Sequence, residues 1–160
     1  HSTNGTPSLI KSKFAHNCVV LGFVNMERVA NYLFELNEDF IILCAGSNGE
    51  FSLEDTVCGG MLVSRLKKLG GRGKYILTDS SRGASKLYSA YKNDINKMLH
   101  DSEHGQFLVS LGFGDDLAAC SEVDKYNILP VLRNGVIKSI EAFASDPKLT
   151  MKKVSQKSAG

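Results

Sequence analysis

Short continuous apolar runs alternate along the chain with segments in which apolar residues recur every three or four positions. The runs at 18–23 and 40–46 are rich in Val, Leu and Ile, which is typical of strands that are covered on both faces. A shorter strand is predicted at 75–77. Because these strands alternate with helical segments, the pattern predicts an α/β fold.

Helical periodicity predicts three longer helices between and after these runs. Asn25 is expected to cap the first. The residues of its predicted buried stripe recur at spacings of three and four: Met26, Val29, Ala30, Leu33 and Leu36. The second helix is predicted over 53–69 and is ended by the glycines that follow Leu69. The third is expected to start at a cap formed by Asp79 or Ser80 and to run to about residue 99.

Shorter elements are predicted in the last third of the chain. A second short helix is expected before Gly112, and 115–124 is expected to be mainly a loop. Asn134 and Gly135 separate two apolar runs, which predicts a C-terminal β-hairpin with a type I′ turn. Pro130 has no N–H to donate, so its strand is expected at an edge. Residues 1–147 are predicted to form one domain, and 148–160, rich in Lys and Ser, a flexible tail.

The composition narrows the class of protein. The chain has 160 residues, and its net charge of +2 is spread over mixed signs, which argues against a nucleic-acid-binding surface. No apolar run approaches the roughly 18 residues that a membrane span needs. The four cysteines have no CxxC spacing and are expected to be reduced thiols in a cytoplasmic protein. The histidines lack HxxxH spacing, so a zinc site is not expected.

The stretch AGSNGEFSLEDTVCGG at 45–60 carries the main candidate chemistry. Ser52 and Asp55 have the spacing of a capping box, and the helix dipole favours Glu54 and Asp55 in a first turn. The same arrangement, a loop after a strand followed by a helix N-terminus, is where open α/β sheets bind ligands. Carboxylates there could hold Mg²⁺, which retains waters and binds one or two protein oxygens. Both interpretations remain open at this point.

Three further features have both a structural and a functional interpretation. Each glycine inside a helix costs about 1 kcal/mol relative to alanine. The pair Gly59-Gly60 therefore indicates the close approach of another backbone, a packed element or a ligand. Residues 2–6, Ser-Thr-Asn-Gly-Thr, form either a turn or an anion-binding loop. Arg82 either pairs with a carboxylate, sulfonate or phosphate, or is solvated.

Four stretches, taken together, resemble the 2-phosphosulfolactate phosphatase family. They are STNGT at 2–6, NMERVANYL at 25–33, ILCAGSNGEFSLEDTVCGGMLVSRL at 42–66 and SEHGQFLVSLGFGDDLAACSEVDKYNILPVLRNGVI at 102–137. The resemblance runs from Ser2 to about Ile137, and its middle stretch is the most specific part.

The resemblance implies a three-layer α/β/α fold with a mostly parallel mixed sheet, and Mg²⁺-dependent hydrolysis of the phosphate ester of a 2-hydroxy acid. In the family the substrate is (R)-2-phospho-3-sulfolactate, whose hydrolysis lies on a route to coenzyme M. Glu54 and Asp55 are the candidate catalytic residues and magnesium ligands. The resemblance gives seven candidate substrate-binding residues: Thr3, Asn4, Gly5, Thr6, Gly46, Ser47 and Gly49. Arg82 is added as an eighth candidate because its side chain could pair with an anion.

The resemblance also implies a longer chain. Family members begin with an Asp-Val-Leu-Arg-Ala-Thr-like motif, and this chain opens where the family is about a third of the way through. We therefore expect either a fragment or a shortened relative, and an incomplete sheet favours a homo-oligomer or association with an N-terminal segment. The alternative function is a catalytically inactive α/β domain that binds an anion or a partner. A generic nucleotide- or sugar-phosphate-binding domain is a further alternative.

Overall fold

The computed structural model describes residues 5–71 and 73–144, and it contains both helices and strands. The helices of these two ranges are α1 (Gly5–Lys11), α2 (Met26–Leu36), α3 (Leu53–Gly70), α4 (Asp79–Tyr91), α5 (Ile95–Asp101), α6 (Glu103–Ser110), α7 (Gly114–Cys120) and α8 (Ile140–Ala144). Single 3₁₀ turns cover Ser12–Phe14 and Phe23–Asn25. The strands are β1 (Cys18–Val19), β2 (Pro130–Arg133) and β3 (Val136–Ser139). None of the helices in the described ranges is long and apolar enough to cross a membrane.

The three strands form an antiparallel sheet in the order β1-β2-β3. The predicted C-terminal hairpin is confirmed: Asn134 and Gly135 have φ angles of 51° and 75°, as a type I′ turn requires. The predicted edge position of β2 is wrong, because β2 pairs with strands on both sides. Pro130 is tolerated there because it is the first residue of the strand. Its carbonyl accepts a hydrogen bond from Val20 N at 2.9 Å.

The predicted strands at 40–46 and 75–77 are not formed. Both segments lack a ladder partner among the described residues. The covering on both faces that was expected for 40–46 is also wrong, since Ile41 is 91% exposed. Ile76, in the second segment, is 99% exposed. A buried strand needs neighbours on its edges as well as an apolar sequence. The structure confirms that the fold contains both helices and strands. The mostly parallel sheet and the three-layer arrangement stay predictions.

Helix α3 is the central element of the fold. It packs most extensively against α4 and also contacts α2 and α5. The predicted helix over 53–69 is confirmed as α3, and the residues of the first predicted apolar stripe all lie in α2. The core joins residues from α2, α3, α5, α7, the second 3₁₀ turn and the chain at and just before β2: Phe23, Met26, Val29, Ala30, Leu33, Val57, Met61, Leu62, Leu66, Ile95, Met98, Leu99, Leu117, Leu129 and Val131.

The Gly59-Gly60 pair is explained by close packing on two sides of α3. A Cβ atom on Gly60 would lie 2.1 Å from the carbonyl oxygen of Ala84 in α4. A Cβ on Gly59 would lie 3.3 Å from Cγ2 of Ile42. The two glycines therefore let a helix and an extended segment approach α3 closely, at the cost in helix propensity that the sequence indicates.

The third predicted helix is divided in two. Helix α4 ends at Tyr91, and Asp94 caps α5 by accepting a hydrogen bond from Lys97 N at 2.8 Å. At the start of α4 the cap is Thr78, whose Oγ1 accepts from Ser81 N at 3.3 Å, rather than either residue that the sequence indicated. The stretch 115–124 was predicted to be mainly a loop, but its first six residues belong to α7 (Gly114–Cys120). The single-domain prediction for 1–147 stays a prediction, and 148–160 lie outside the described residues.

Asn25 precedes α2 but does not cap it with its side chain. Its Oδ1 accepts from Gly22 N at 2.8 Å, and its Nδ2 donates to the carbonyls of Val20 and Ile128. The start of α2 is held instead by Asp124, whose Oδ1 accepts from the amide of Glu27. A distant residue therefore performs the capping role that the local pattern had assigned to the neighbour.

Candidate functional site

A tight two-residue turn lies between the extended segment 38–46 and α3. Ser47 N donates to Glu50 O at 3.2 Å, and Glu50 N donates to Ser47 O at 2.9 Å. The central residues Asn48 and Gly49 have φ angles of 53° and 87°, as in a type I′ turn. This stretch was predicted only as a loop, although its Asn-Gly pair is a recognised signal for this turn.

Gly46 and Asp55 fix the turn onto α3. Gly46 has a φ of 74°, and a Cβ there would lie 2.7 Å from the carbonyl oxygen of Glu50. Its amide donates to Oδ2 of Asp55 at 2.7 Å. A residue with a side chain would be strained in this backbone region, so a glycine at 46 and an acceptor at 55 together determine where the turn lies.

Ser52 is the N-cap of α3, as the sequence predicts. Its Oγ accepts from Asp55 N at 3.2 Å. The second half of the predicted capping box is wrong, because the Asp55 carboxylate binds Gly46 N instead of reaching back to the cap residue. Thr56 adds a hydrogen bond from its Oγ1 to Ser52 O at 2.8 Å.

A cleft of about 440 Å³ lies between the turn and α1. Ser8 of α1 donates to the carbonyl of Cys44 at 3.2 Å, which ties the two sides together. Lys11 brings a positive charge to the cleft, and Glu50 a negative one. The lining residues are Pro7, Ser8, Lys11, Leu43, Cys44, Ala45, Gly46, Asn48, Gly49, Glu50, Phe51, Ser52 and Thr56.

The structure brings part of the predicted site to this cleft. Gly46 and Gly49 line it, and Ser47 is a corner of the same turn. Gly5 and Thr6 begin α1, the helix that forms the opposite wall. No local motif indicates that α1 packs beside the turn, so the sequence did not predict five of the lining residues: Ser8, Lys11, Asn48, Glu50 and Thr56.

Other predicted site residues lie elsewhere. Glu54 and Asp55 form the first turn of α3 and are not among the described residues that line the cleft. Arg82 belongs to α4, where its Nε donates to the carbonyl of Leu77 at 3.3 Å, and it is likewise absent from the described lining. Thr3 and Asn4 lie outside the described residues. The roles assigned to these residues stay predictions.

The negative charge of Asp55 affects the pKa values of two cysteine thiols, those of Cys44 and Cys58. Burial raises the pKa of Cys44, and the negative charge of Asp55 raises it further. Burial raises the pKa of Cys58 to about 12, with smaller contributions from Asp55 and Cys44. Both cysteines are therefore neutral near pH 7, which makes neither a ready nucleophile.

Glu54 and Asp55 offer a limited set of metal ligands. The described ranges contain no group of three or more His, Cys, Asp or Glu side chains that could surround a metal ion. One Asp55 oxygen is already used by Gly46 N, and its Oδ1 has no hydrogen-bond partner among the described residues. Mg²⁺ commonly binds one or two protein oxygens and completes its shell with water and phosphate, so the Asp55 Oδ1 is of the ligand type that this ion takes.

Comparison with known proteins supports the resemblance. A family model described as "2-phosphosulpholactate phosphatase" matches residues 1–135. A protein named "Probable 2-phosphosulfolactate phosphatase" from Caldanaerobacter subterraneus subsp. tengcongensis is 32% identical over 89% of this chain and 58% of its own length. Proteins with the same name from Symbiobacterium thermophilum and Thermotoga maritima are 36% and 34% identical, over 88% and 84% of this chain and 59% and 56% of theirs.

The matched region is a larger share of this chain than of the relatives. The match takes in most of this chain, whereas the chain spans less than three fifths of the length of these relatives. The matched region includes α1, the turn, α3 and the cleft between them. The chain belongs to the 2-phosphosulpholactate phosphatase family.

Proposed function

We propose that this chain contributes an active-site cleft to a phosphatase that hydrolyses the phosphate ester of a 2-hydroxy acid such as 2-phosphosulfolactate. The observation that carries the proposal is the cleft between α1 and the turn at the N-terminus of α3, inside the family match. The relatives are named for this reaction. A helix N-terminus favours phosphate because unpaired amides and the helix dipole both point toward an anion.

Several backbone amides are available to a phosphate group at this cleft. Among the described residues, the amides of Asn48 and Gly49 at the tip of the turn make no hydrogen bond. The amides of Leu53 and Glu54 in the first turn of α3 also make no hydrogen bond, but neither residue is among the described residues that line the cleft, and the amide of Asp55 is taken by the cap. Donors of this kind bear the charge on phosphoryl oxygens without reorganisation during the reaction.

Side chains complete the proposed binding site. Lys11 supplies a cation. The hydroxyls of Ser8 and Thr56 also line the cleft, but each donates its hydrogen to a backbone carbonyl, of Cys44 and Ser52 respectively, and would have to leave that carbonyl to bind a phosphate oxygen. Glu50 is an acidic residue on the same lining, so an anionic substrate is expected to bind with its charged end away from that carboxylate. We propose that the loop Thr3, Asn4, Gly5 and Thr6 and the side chain of Arg82 contribute to anion binding, as the family resemblance implies.

We propose that Glu54 and Asp55 are the catalytic carboxylates and the magnesium ligands. Mg²⁺, when bound, would polarise the phosphoryl group and lower the pKa of a coordinated water. Asp55 would use Oδ1, since Oδ2 holds the turn through Gly46. Asp55 would then link the position of the metal to the position of the loop amides.

The test is phosphate release from 2-phosphosulfolactate at increasing Mg²⁺ concentration. The changes Glu54→Gln and Asp55→Asn are expected to lower kcat by about 100-fold or more, the size of effect that loss of a catalytic carboxylate produces. Glu103→Gln is the matched control, because Glu103 is also an acidic residue in the first turn of a helix. Full activity in both test variants, with the fold intact by circular dichroism, would overturn the assignment.

The alternative function is an α/β domain that binds an anion or a partner without turnover. It is favoured by the small number of carboxylates that the described residues bring together. Binding of 2-phosphosulfolactate with no phosphate release would support this alternative. Restored release after co-expression with the part of a relative to which this chain does not align would support the phosphatase.

The remaining parts of the proposal follow the family resemblance. We propose that the whole protein has a three-layer α/β/α fold with a mostly parallel sheet, acts in the cytoplasm and yields sulfolactate on a route to coenzyme M. Apolar extended segments on the α3 side of the structure support the proposed sheet.

A further inference from the structure

The chain contains three Asn-Gly pairs, and two of them form turns of the same kind. Asn48-Gly49 lies at the tip of the cleft turn, with φ angles of 53° and 87°. Asn134-Gly135 lies at the tip of the C-terminal hairpin, with φ angles of 51° and 75°. All four residues are exposed. The third pair begins with Asn4, which lies outside the described residues. The chain therefore offers one such turn at the cleft and a matched turn away from it.

Asparagine is a thermolabile residue, and it is most reactive before glycine, which has no Cβ to crowd the reaction. The glycine nitrogen forms a bond to Cγ of the asparagine and closes a five-membered succinimide ring. The Cγ–Nδ2 bond breaks, and Nδ2 leaves as ammonia with the proton of the attacking nitrogen. Water then opens the ring at either carbonyl carbon and leaves aspartate or isoaspartate. The net reaction consumes one water molecule and releases one ammonia molecule.

The reacting atoms of Asn48 and Gly49 are not held by other groups of the described structure. Neither the Gly49 amide nor the Asn48 side chain makes a hydrogen bond among the described residues. A Cβ built on Gly49 meets nothing within 4 Å, so there is open space beside the bond where the ring would form. The attacking nitrogen is therefore available, and the ring has room to close.

The two turns differ in how firmly they are closed. Ring closure requires the asparagine to leave its turn conformation, so the turn must first open locally. Ser47 and Glu50 close the cleft turn as an isolated pair, through two backbone hydrogen bonds. Behind the hairpin turn, four residue pairs join β2 to β3. A single pair opens at a lower free energy than a ladder of four, so the cleft turn is the more reactive of the two.

We propose that Asn48 is a site of spontaneous deamidation and that its products disable the cleft. Aspartate places a carboxylate at a position that lines the cleft. Isoaspartate does the same and also lengthens the main chain of the turn by one carbon, which displaces the amides at its tip. The negative charge of either product repels a phosphate group. The deamidation depends on the turn alone, whereas the loss of phosphate binding rests on the proposed function.

Incubation of the chain in mildly alkaline buffer, followed by peptide mass spectrometry, tests the deamidation. Alkaline buffer accelerates the reaction because the attacking nitrogen must lose its proton. Asn48 is expected to react at least about fivefold faster than Asn134, because its turn opens more easily. Isoaspartate is expected among the products, since only the ring intermediate yields it. A rate at Asn48 no higher than that at Asn134, or aspartate as the sole product, would overturn the proposal.

Asn48→Asp reproduces the aspartate product, and Asn134→Asp is its matched control. Each variant is titrated with 2-phosphosulfolactate after circular dichroism has shown that the fold is intact. Asn48→Asp is expected to weaken binding by at least about tenfold, and Asn134→Asp is expected to leave it unchanged. Equal binding by the two variants would overturn the loss of binding alone. If the unmodified chain does not bind, the proposed function and the loss of binding both fail, and the mass spectra still decide the deamidation.

Discussion

The contact between α3 and α4 allows a quantitative prediction about Gly60→Ala. A Cβ at this position would lie 2.1 Å from the Ala84 carbonyl oxygen and 3.0 Å from Cβ of Tyr88. Non-bonded heavy atoms do not approach a Cβ closer than about 3.0 Å, so α4 must retreat by roughly 0.9 Å along the direction of that contact. The clash involves a backbone atom, which no change of rotamer relieves.

The expected destabilisation is a balance of two effects. Overpacking a core costs about 1–3 kcal/mol, and a backbone clash belongs at the upper end of that range. Alanine regains about 1 kcal/mol through its better helix propensity. The free energy of unfolding is therefore expected to fall by about 2 kcal/mol, which lowers Tm by about 4–8 °C for a domain of this size. Urea denaturation followed by far-UV circular dichroism measures the change.

Gly83→Ala is the matched control for this experiment. Gly83 also lies inside a helix, but nothing is within 4 Å of the Cβ that it would gain. This change is expected to stabilise the protein by about 0.5–1 kcal/mol. If Gly60→Ala were as stable as the wild-type protein or more so, the close approach of α4 to α3 would be refuted.

Three further predictions concern the neighbourhood of α3. Ser52→Ala removes the N-cap and is expected to lower the free energy of unfolding by about 1 kcal/mol in the same urea assay; no change would contradict the capping geometry. Asp55→Asn removes a negative charge that raises the pKa of Cys44, so more thiolate is present at any given pH. Iodoacetamide should therefore modify Cys44 faster in the variant, and an unchanged rate–pH profile would argue against that proximity. Asp124→Ala loses the hydrogen bond from the start of α2 and the 2.6 Å ion pair with Arg65, and is expected to cost about 1–2 kcal/mol. Arg65→Ala, which breaks only the partly exposed pair, is expected to cost less than 1 kcal/mol, and equal losses would contradict this division.

The elements that were predicted correctly are those that depend on residues close together in the chain. The apolar stripe of α2, the serine cap of α3 and the Asn134-Gly135 turn each depend on residues close together in sequence, and all three are confirmed. The division of the third predicted helix was missed because the apolar stripe continues across the break. The cap of α5 lies at Asp94, inside that stripe.

The incorrect predictions concern features that depend on residues far apart in the chain. A run such as 40–46 has the composition of a buried strand, but a strand forms only where another strand supplies hydrogen bonds. The composition of the run shows that it is apolar, but it does not show whether another strand lies beside it. Capping of α2 by Asp124 is also non-local, since the two partners are 97 residues apart.

Only those parts of the candidate site whose residues are close together in sequence were predictable. The glycine-rich turn and the acidic helix start are contiguous in sequence, so they could be identified together. The wall formed by Ser8 and Lys11 depends on how α1 packs beside the turn, which no spacing in the sequence encodes. Family resemblance identified the segment, whereas the structure was needed to show that Asp55 positions Gly46.

Titration of the isotopically labelled chain with 2-phosphosulfolactate, followed by the amide resonances of the turn, tests the central claim most directly. If the cleft binds the phosphate ester, saturable shifts are expected at Asn48 and Gly49 at the tip of the turn, which line the cleft. Charge reversal by Lys11→Glu is expected to weaken this binding by at least about tenfold through loss of the cation. Absence of shifts in the turn, or shifts confined to the start of α4 around Arg82, would contradict the claim that this cleft is the phosphate site.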